Sequence, residues 1–190
     1  MSAERGECGA AIRAVAMALP GRQVANAEIA GRIGVDEEWI VKRTGTATRP
    51  WAMEGERLSE FAARAVGRRS RALGSTPSEL DLVAVATSTA DEITPNAAPL
   101  VAGLIGASRA GAFDVGAACT GWLAGLGMAC GQIESGRARH ALIVGADFLS
   151  RFLDCSDRAR APAGSDSSEA RPFRCRDRRP SAPRSGASRR

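Results

Sequence analysis

The sequence predicts an α/β fold in which a parallel sheet is covered by helices on both faces, and three observations carry that prediction. Strand-length apolar runs at Leu82–Thr87, Ala110–Ala118 and His140–Ala146 alternate with segments of helical period. These runs are almost continuously apolar rather than alternating, which is the mark of strands buried on both sides. The 190 residues, 44% hydrophobic and 25% charged, are enough for one domain with a sizeable core.

Taken in order, Ala11–Leu19 is a small-apolar run ended by Pro20-Gly21, the pattern of a first strand and its turn. Asn26 is placed to cap a short helix. A second helix begins behind Asp36, whose carboxylate, with Glu37 and Glu38, suits a positive helix end, and it stops at Gly45. Arg57–Leu73 is the clearest amphipathic helix, with Leu58, Phe61, Ala62, Ala65, Val66 and Leu73 at three- and four-residue steps before Gly74. Thr76-Pro77-Ser78-Glu79 reads as a capping box over a single turn that feeds the strand at Leu82. Thr94-Pro95 repeats the device and opens a helix through Leu100, Val101 and Leu104 to Gly106. A small-residue helix runs from Gly121 to Glu134, with Gly136 ending it before the last strand.

Charge divides the chain in two. Residues 159–190 hold nine Arg against Asp166, Glu169 and Asp177, a balance of +6, so residues 1–158 are near neutral although the whole chain stands at +5. The last 32 residues contain no Leu, Ile, Val or Met, and their Arg, Ser and Pro content predicts a disordered basic tail behind a folded domain of residues 1–158. A nucleic-acid partner would rest on this tail alone, with no aromatic platform and no motif, and none is expected.

Five cysteines form no C-x-x-C pair and His140 is the only histidine, so no metal is expected. With an odd cysteine count, no export signal and no bilayer-length apolar run, the expected setting is the cytoplasm, with no membrane attachment.

The strongest local pattern is Phe113-Asp114-Val115-Gly116-Ala117-Ala118-Cys119-Thr120-Gly121-Trp122, a buried strand turning through small residues into a helix. It sets Cys119 at a helix start, where unpaired backbone N–H groups and the helix dipole favour a thiolate and a developing oxyanion. A plainer reading makes Cys119 a small core residue. Cys130, inside the same helix, has only that plainer reading; Cys8, Cys155 and Cys175 have no distinctive setting.

Asp36-Glu37-Glu38-Trp39-Ile40-Val41-Lys42-Arg43-Thr44-Gly45 resembles the early signature of the β-ketoacyl-acyl-carrier-protein synthase III family. It is followed at family-like distances by the strand at Leu82, the Ala117-Ala118-Cys119-Thr120-Gly121 elbow, the strand Ala141–Gly145 and Asp157-Arg158. The likeness runs from Ala10 to Arg158 and implies the amino-terminal half of a thiolase-like fold, in a family that works as a homodimer. It implies that Cys119 takes an acyl group from acyl-CoA, for condensation with malonyl-acyl carrier protein at the start of fatty-acid or polyketide synthesis, with no cofactor. By the same resemblance Trp39 stacks on the CoA adenine, and Arg43 and Arg158 meet its phosphates. Each of the three also has a plainer reading, Trp39 as a core residue and the two arginines as solvated charges. Thr94 falls where the family's dimer mate reaches the acyl pocket, which a helix cap explains equally well.

The resemblance breaks after Arg158. The family's second-half histidine and asparagine, which stabilise the condensation intermediates, have no counterpart, and a glycine-rich strand is replaced by the tail. A reading-frame change is consistent with this, since codons for Ser165–Ala170 read two nucleotides along can spell Gly-Leu-Phe-Gly-Gly. The helix bearing Trp122, Leu123, Leu126, Met128 and Ile133 is then expected to lose cover, leaving a sticky half-fold that condenses little or nothing, or a non-catalytic fragment that docks on an intact synthase.

Overall fold

A computed structural model describes residues 9–73 and 76–152. Its elements are β1 (Arg22–Ala25), α1 (Asn26–Ile33), α2 (Glu37–Thr44), β2 (Thr48–Trp51), α3 (Leu58–Leu73), β3 (Leu82–Ala86), α4 (Ala97–Ile105), β4 (Gly111–Val115), α5 (Gly121–Glu134) and β5 (Ala141–Gly145). The three apolar runs form one parallel sheet in the order β4-β3-β5, with Val83 level with Ala112 on one side and Leu142 on the other. The crossovers from β3 to β4 and from β4 to β5 run in opposite directions, so right-handed connections put α4 and α5 on opposite faces.

The face under α4 is the main core. Val83 and Val85 of β3 meet Ala98 and Val101 of α4, and Leu58 and Phe61 of α3 close over them, with Phe61 edge-on to Phe148 at 5.1 Å and 78°. Burying each of the larger side chains contributes roughly 1.5–3 kcal/mol. The other face packs on α5 through small residues. Gly121, Gly125 and Ala129, one turn apart, are the buried positions of that helix. A Cβ at Gly125 would already stand 3.3 Å from Ile143 Cγ2, so α5 lies close on the strands. Its outer side leaves Trp122 37%, Leu123 63% and Met128 50% exposed, while Leu126 and Ile133 are half-buried.

A second, smaller cluster gathers Val24, Ile29, Ala30, Ile33 and Ile40 beneath the antiparallel ribbon β1-β2. Strand β2 has no counterpart in the expectations above; its Pro50 is tolerated because, in a two-stranded ribbon, it needs no ladder donor on its outer side.

Four further expectations are corrected. Residues 11–19 form no strand: they find no partner among the described residues, and Ile12, Val15, Met17 and Leu19 face solvent. Asn26 is not the cap of α1 but its first residue. Its buried side chain donates from Nδ2 to Thr46 O at 2.7 Å and accepts from Arg49 Nη2 at 2.8 Å, pinning α1 to the stretch leading into β2. Thr94-Pro95 does not open α4, which begins at Ala97 after Asn96 and is capped from a distance by Asp114. The Ala110–Ala118 strand is shorter at both ends, because Gly116–Ala118 belong to the turn that precedes Cys119.

The remaining punctuation is as expected. Asp36 Oδ1 accepts from Trp39 N at 2.6 Å to cap α2, Gly45 ends that helix with a φ of 68°, and Glu79 reaches back to Thr76 N at 3.0 Å. His140 is a surface residue whose ring nitrogen lies 3.2 Å from Glu79 O. Gly74 and residues 153–190, including Arg158, Cys155, Cys175 and the tail, lie outside the described residues, as does Cys8.

Candidate active site

The carboxyl edge of the sheet assembles the site. Here the chain leaves β3 toward one face and β4 toward the other, which opens a crevice at the switch in direction. After β4 the chain turns through Ala118 with a φ of +44°, a left-handed conformation unusual for a residue with a side chain, and presents Cys119 in a single 3-10 turn running into α5. Among the described residues nothing covers Cys119, which is exposed. Thr120 fastens the turn, its N–H donating to Ala117 O at 3.1 Å and its hydroxyl to the same oxygen at 2.8 Å. Gly121 N–H bonds to Ala118 O. Two of the backbone donors expected to await an oxyanion are therefore already engaged in shaping the elbow.

Three carboxylates organise the same edge, and sequence reasoning gave none of them a role. Asp114, a lone acid in an apolar strand, accepts from Ala97 N at 2.9 Å and Ala98 N at 2.6 Å and caps α4. Its isolation among apolar neighbours was the available signal, since a carboxylate in such a place needs donors. Asp91 caps α3 in the same way, accepting from Leu58 N at 2.7 Å and Ser59 N at 2.8 Å, while Arg57 and Arg151 approach to 3.9 and 3.3 Å. Its side chain is 2% exposed. Burial pushes its pKa up, but the Ser59 and Leu58 donors and Arg151 outweigh that, and its carboxyl sits below the usual range. Asp147 gathers the loop after β3, accepting from Ser88 N at 2.8 Å and from the Thr87 and Thr89 hydroxyls at 3.3 Å each.

A cleft of about 540 Å³ opens beside this loop, with Asp91, Glu92, Asn96, Asp114, Ile93 and Phe152 on its wall. Its three carboxylates make it a poor seat for phosphates, and Cys119 is outside its lining. Thr94 is exposed beside it.

Trp39 and Arg43 come together on α2. Trp39 is half-buried against the smaller cluster, and the Arg43 guanidinium lies 3.9 Å from the centroid of its ring while Nη1 donates to Trp39 O at 3.3 Å. Trp39 is thus partly a core residue, with Arg43 lying over its ring. Among the described residues, no hydrogen bond, ion pair or ring contact joins this pair to Cys119.

Comparison with known proteins gives a consistent picture. Residues 113–171 match the family 3-oxoacyl-[acyl-carrier-protein (ACP)] synthase III. The chain is 44% identical over 141 residues to the β-ketoacyl-[acyl-carrier-protein] synthase III of Rhizorhabdus wittichii, covering 74% of this chain and 44% of that protein. It is 42% identical over 150 residues to the enzyme of the same name from Cereibacter sphaeroides, covering 79% and 46%. Among solved structures, the synthase III of Thermus thermophilus superposes with a TM-score of 0.75 at 38% identity, and that of Aquifex aeolicus with 0.73 at 34%; each match covers 80% of this chain and 47% of the other. The priming β-ketosynthase of the R1128 polyketide pathway gives 0.72 at 37%, over 76% and 43%. The chain spans about half the length of the curated relatives it matches.

Proposed function

We propose, from the premise that this chain belongs to the 3-oxoacyl-acyl-carrier-protein synthase III family, that Cys119 accepts an acyl group from acyl-CoA. Its Sγ adds to the thioester carbonyl, the bond from that carbon to the CoA sulfur breaks, and CoA leaves as the thiol with the proton Cys119 gives up. In the full reaction malonyl-acyl carrier protein loses carbon dioxide, and the enolate carbon attacks the Cys119 thioester. A carbon–carbon bond forms, the cysteine thiol is released and a β-ketoacyl product results, at the start of a fatty-acid or polyketide chain. Trp39 meets the CoA adenine, Arg43 and Arg158 its phosphates, and the working assembly is a homodimer. By resemblance, the histidine and asparagine of the condensation step belong to the second half of the family fold, so the step read for the residues described here is the loading of Cys119.

The observation that supports the reading best is the elbow. A left-handed Ala118 costs roughly 1–2 kcal/mol, a strain that a merely structural cysteine does not require. It lifts Cys119 to the surface at the start of a fourteen-residue helix, at the carboxyl edge of the sheet.

A second reading draws on the exposed Trp122, Leu123 and Met128: a non-catalytic fragment that docks on an intact synthase through this face. Intact-protein mass spectrometry after incubation with acetyl-CoA and longer acyl-CoAs separates the two. An acyl adduct that disappears in Cys119→Ala supports loading. Folded protein without an adduct refutes it, and co-purification with a full-length synthase then favours docking.

A further inference from the structure

Arg43 is placed to do more than meet phosphates. It stands one helical turn after Trp39, and its guanidinium lies over the indole ring at 3.9 Å from the centroid while Nη1 donates to Trp39 O at 3.3 Å. Trp39 is otherwise half-buried against the cluster around Ile40, so the ring face under the guanidinium is the one a planar ligand has to compete for. Lys42, its neighbour, pairs with Glu38 at 2.8 Å, whereas among the described residues Arg43 has no carboxylate within ion-pair reach. Its charge is held only by a ring and a carbonyl of its own helix.

We propose that Arg43 is a specificity-determining cover: it competes with a planar base for the face of Trp39 and is displaced only by a ligand that offers the freed guanidinium a phosphate. This deepens the reading of Trp39 and Arg43 as a CoA site and rests on it. A base without phosphates must break the stack and gives Arg43 no new partner. A base carrying phosphates trades the cation–π contact for a charge-assisted hydrogen bond, the stronger interaction. The pair thereby discriminates against nucleosides in favour of phosphorylated nucleotides before any phosphate-specific pocket is needed.

The test uses the full chain and titrates adenosine and adenosine 3′,5′-bisphosphate into the parent protein, Arg43→Ala and Trp39→Leu, with far-UV circular dichroism confirming that each variant is folded. The exposed stack is worth a factor of about 2–5 in binding. Arg43→Ala is therefore expected to bind adenosine about 2- to 5-fold tighter than the parent, and the bisphosphate at least about 3-fold more weakly. Adenosine affinity that is unchanged or lower in Arg43→Ala overturns the cover and leaves Arg43 a simple phosphate ligand. Trp39→Leu checks the reading beneath the proposal: if folded Trp39→Leu binds both probes as the parent does, the base does not sit on Trp39, and the site assignment falls with the cover. Absence of bisphosphate binding to the folded parent has the same consequence.

Discussion

Replacing Gly121 by alanine probes the contact that seats the elbow on the sheet. A Cβ at this position stands 3.0 Å from Ala86 Cβ and 3.2 Å from Val115 O, where unstrained contacts lie at about 3.5–4.0 Å. Neither neighbour is the end of a flexible side chain: Ala86 is in the central strand and Val115 O is backbone. The overlap can be relieved only by moving α5 off the sheet, an overpacking cost of about 1–3 kcal/mol. Alanine at a helix start recovers about 0.5–1 kcal/mol of that through lower chain entropy. The expected net loss is about 1–2 kcal/mol, or a fall in Tm of about 3–8 °C. Gly127→Ala is the control on the same helix. Nothing lies within 4 Å of its added Cβ, so the same substitution should raise stability by about 0.5–1 kcal/mol. Thermal melts of the two variants beside the parent give the answer. A Gly121→Ala protein as stable as Gly127→Ala would refute the close seating of α5 on β3 and β4.

Other measurements follow from the same geometry. Asp91→Asn weakens the cap of α3 and its approach to Arg57 and Arg151, at a cost of about 1–3 kcal/mol in urea titrations at neutral pH. Because the folded-state pKa of Asp91 is lowered, its contribution is complete above the unfolded value near pH 4 and is lost as pH falls through the lower folded value. The gap between parent and variant should therefore close on acidification below about pH 4, and a gap that persists unchanged there would contradict the assignment. Leu123→Arg combined with Met128→Lys places charge on the open face of α5 and should suppress concentration-dependent light scattering without lowering stability by more than about 0.5 kcal/mol. Cys119→Asp puts an acid at the start of α5 and is expected to stabilise the fold by about 0.3–1 kcal/mol while abolishing acylation; a loss of stability would mean that the thiol is packed rather than exposed.

What was legible in the sequence is what local chemistry decides. The bounds of α5 follow from Gly121 and the Gly136 stop, α2 from Asp36 and Gly45, and the three sheet strands from their unbroken apolar runs. What was not legible depends on partners far along the chain. The run Ala11–Leu19 has strand composition, but a strand exists only against an edge, and no local rule supplies one. Strand β2 is the converse case, a proline-bearing stretch made into a strand by β1, more than twenty residues earlier. The caps of α3 and α4 come from Asp91, more than thirty residues away, and from Asp114 on the next strand, so Thr94-Pro95 is not the start of α4 that its local pattern suggests. Within the candidate site, Cys119 was singled out from its strand-to-helix setting, and Trp39 and Arg43 only from the resemblance to a known family. The left-handed Ala118 was not singled out, because nothing in an alanine announces a positive φ.

The distribution of caps gives the cysteine its meaning. Three of the longer helices, α3, α4 and α5, begin around the carboxyl edge of the parallel sheet, and each presents the positive end of its dipole there. Two of these ends are neutralised by a carboxylate accepting two backbone N–H groups, Asp91 for α3 and Asp114 for α4. The third, α5, begins after Thr120 with no side-chain cap at all, and the nearest ionisable group on the chain is Cys119. A fold selected for stability alone would gain from an acid at this position as it does at the other two. That α5 instead carries an exposed thiol behind a strained alanine, on a glycine-seated helix, sets this helix start apart from its neighbours and supports the proposal that Cys119 is the acyl acceptor.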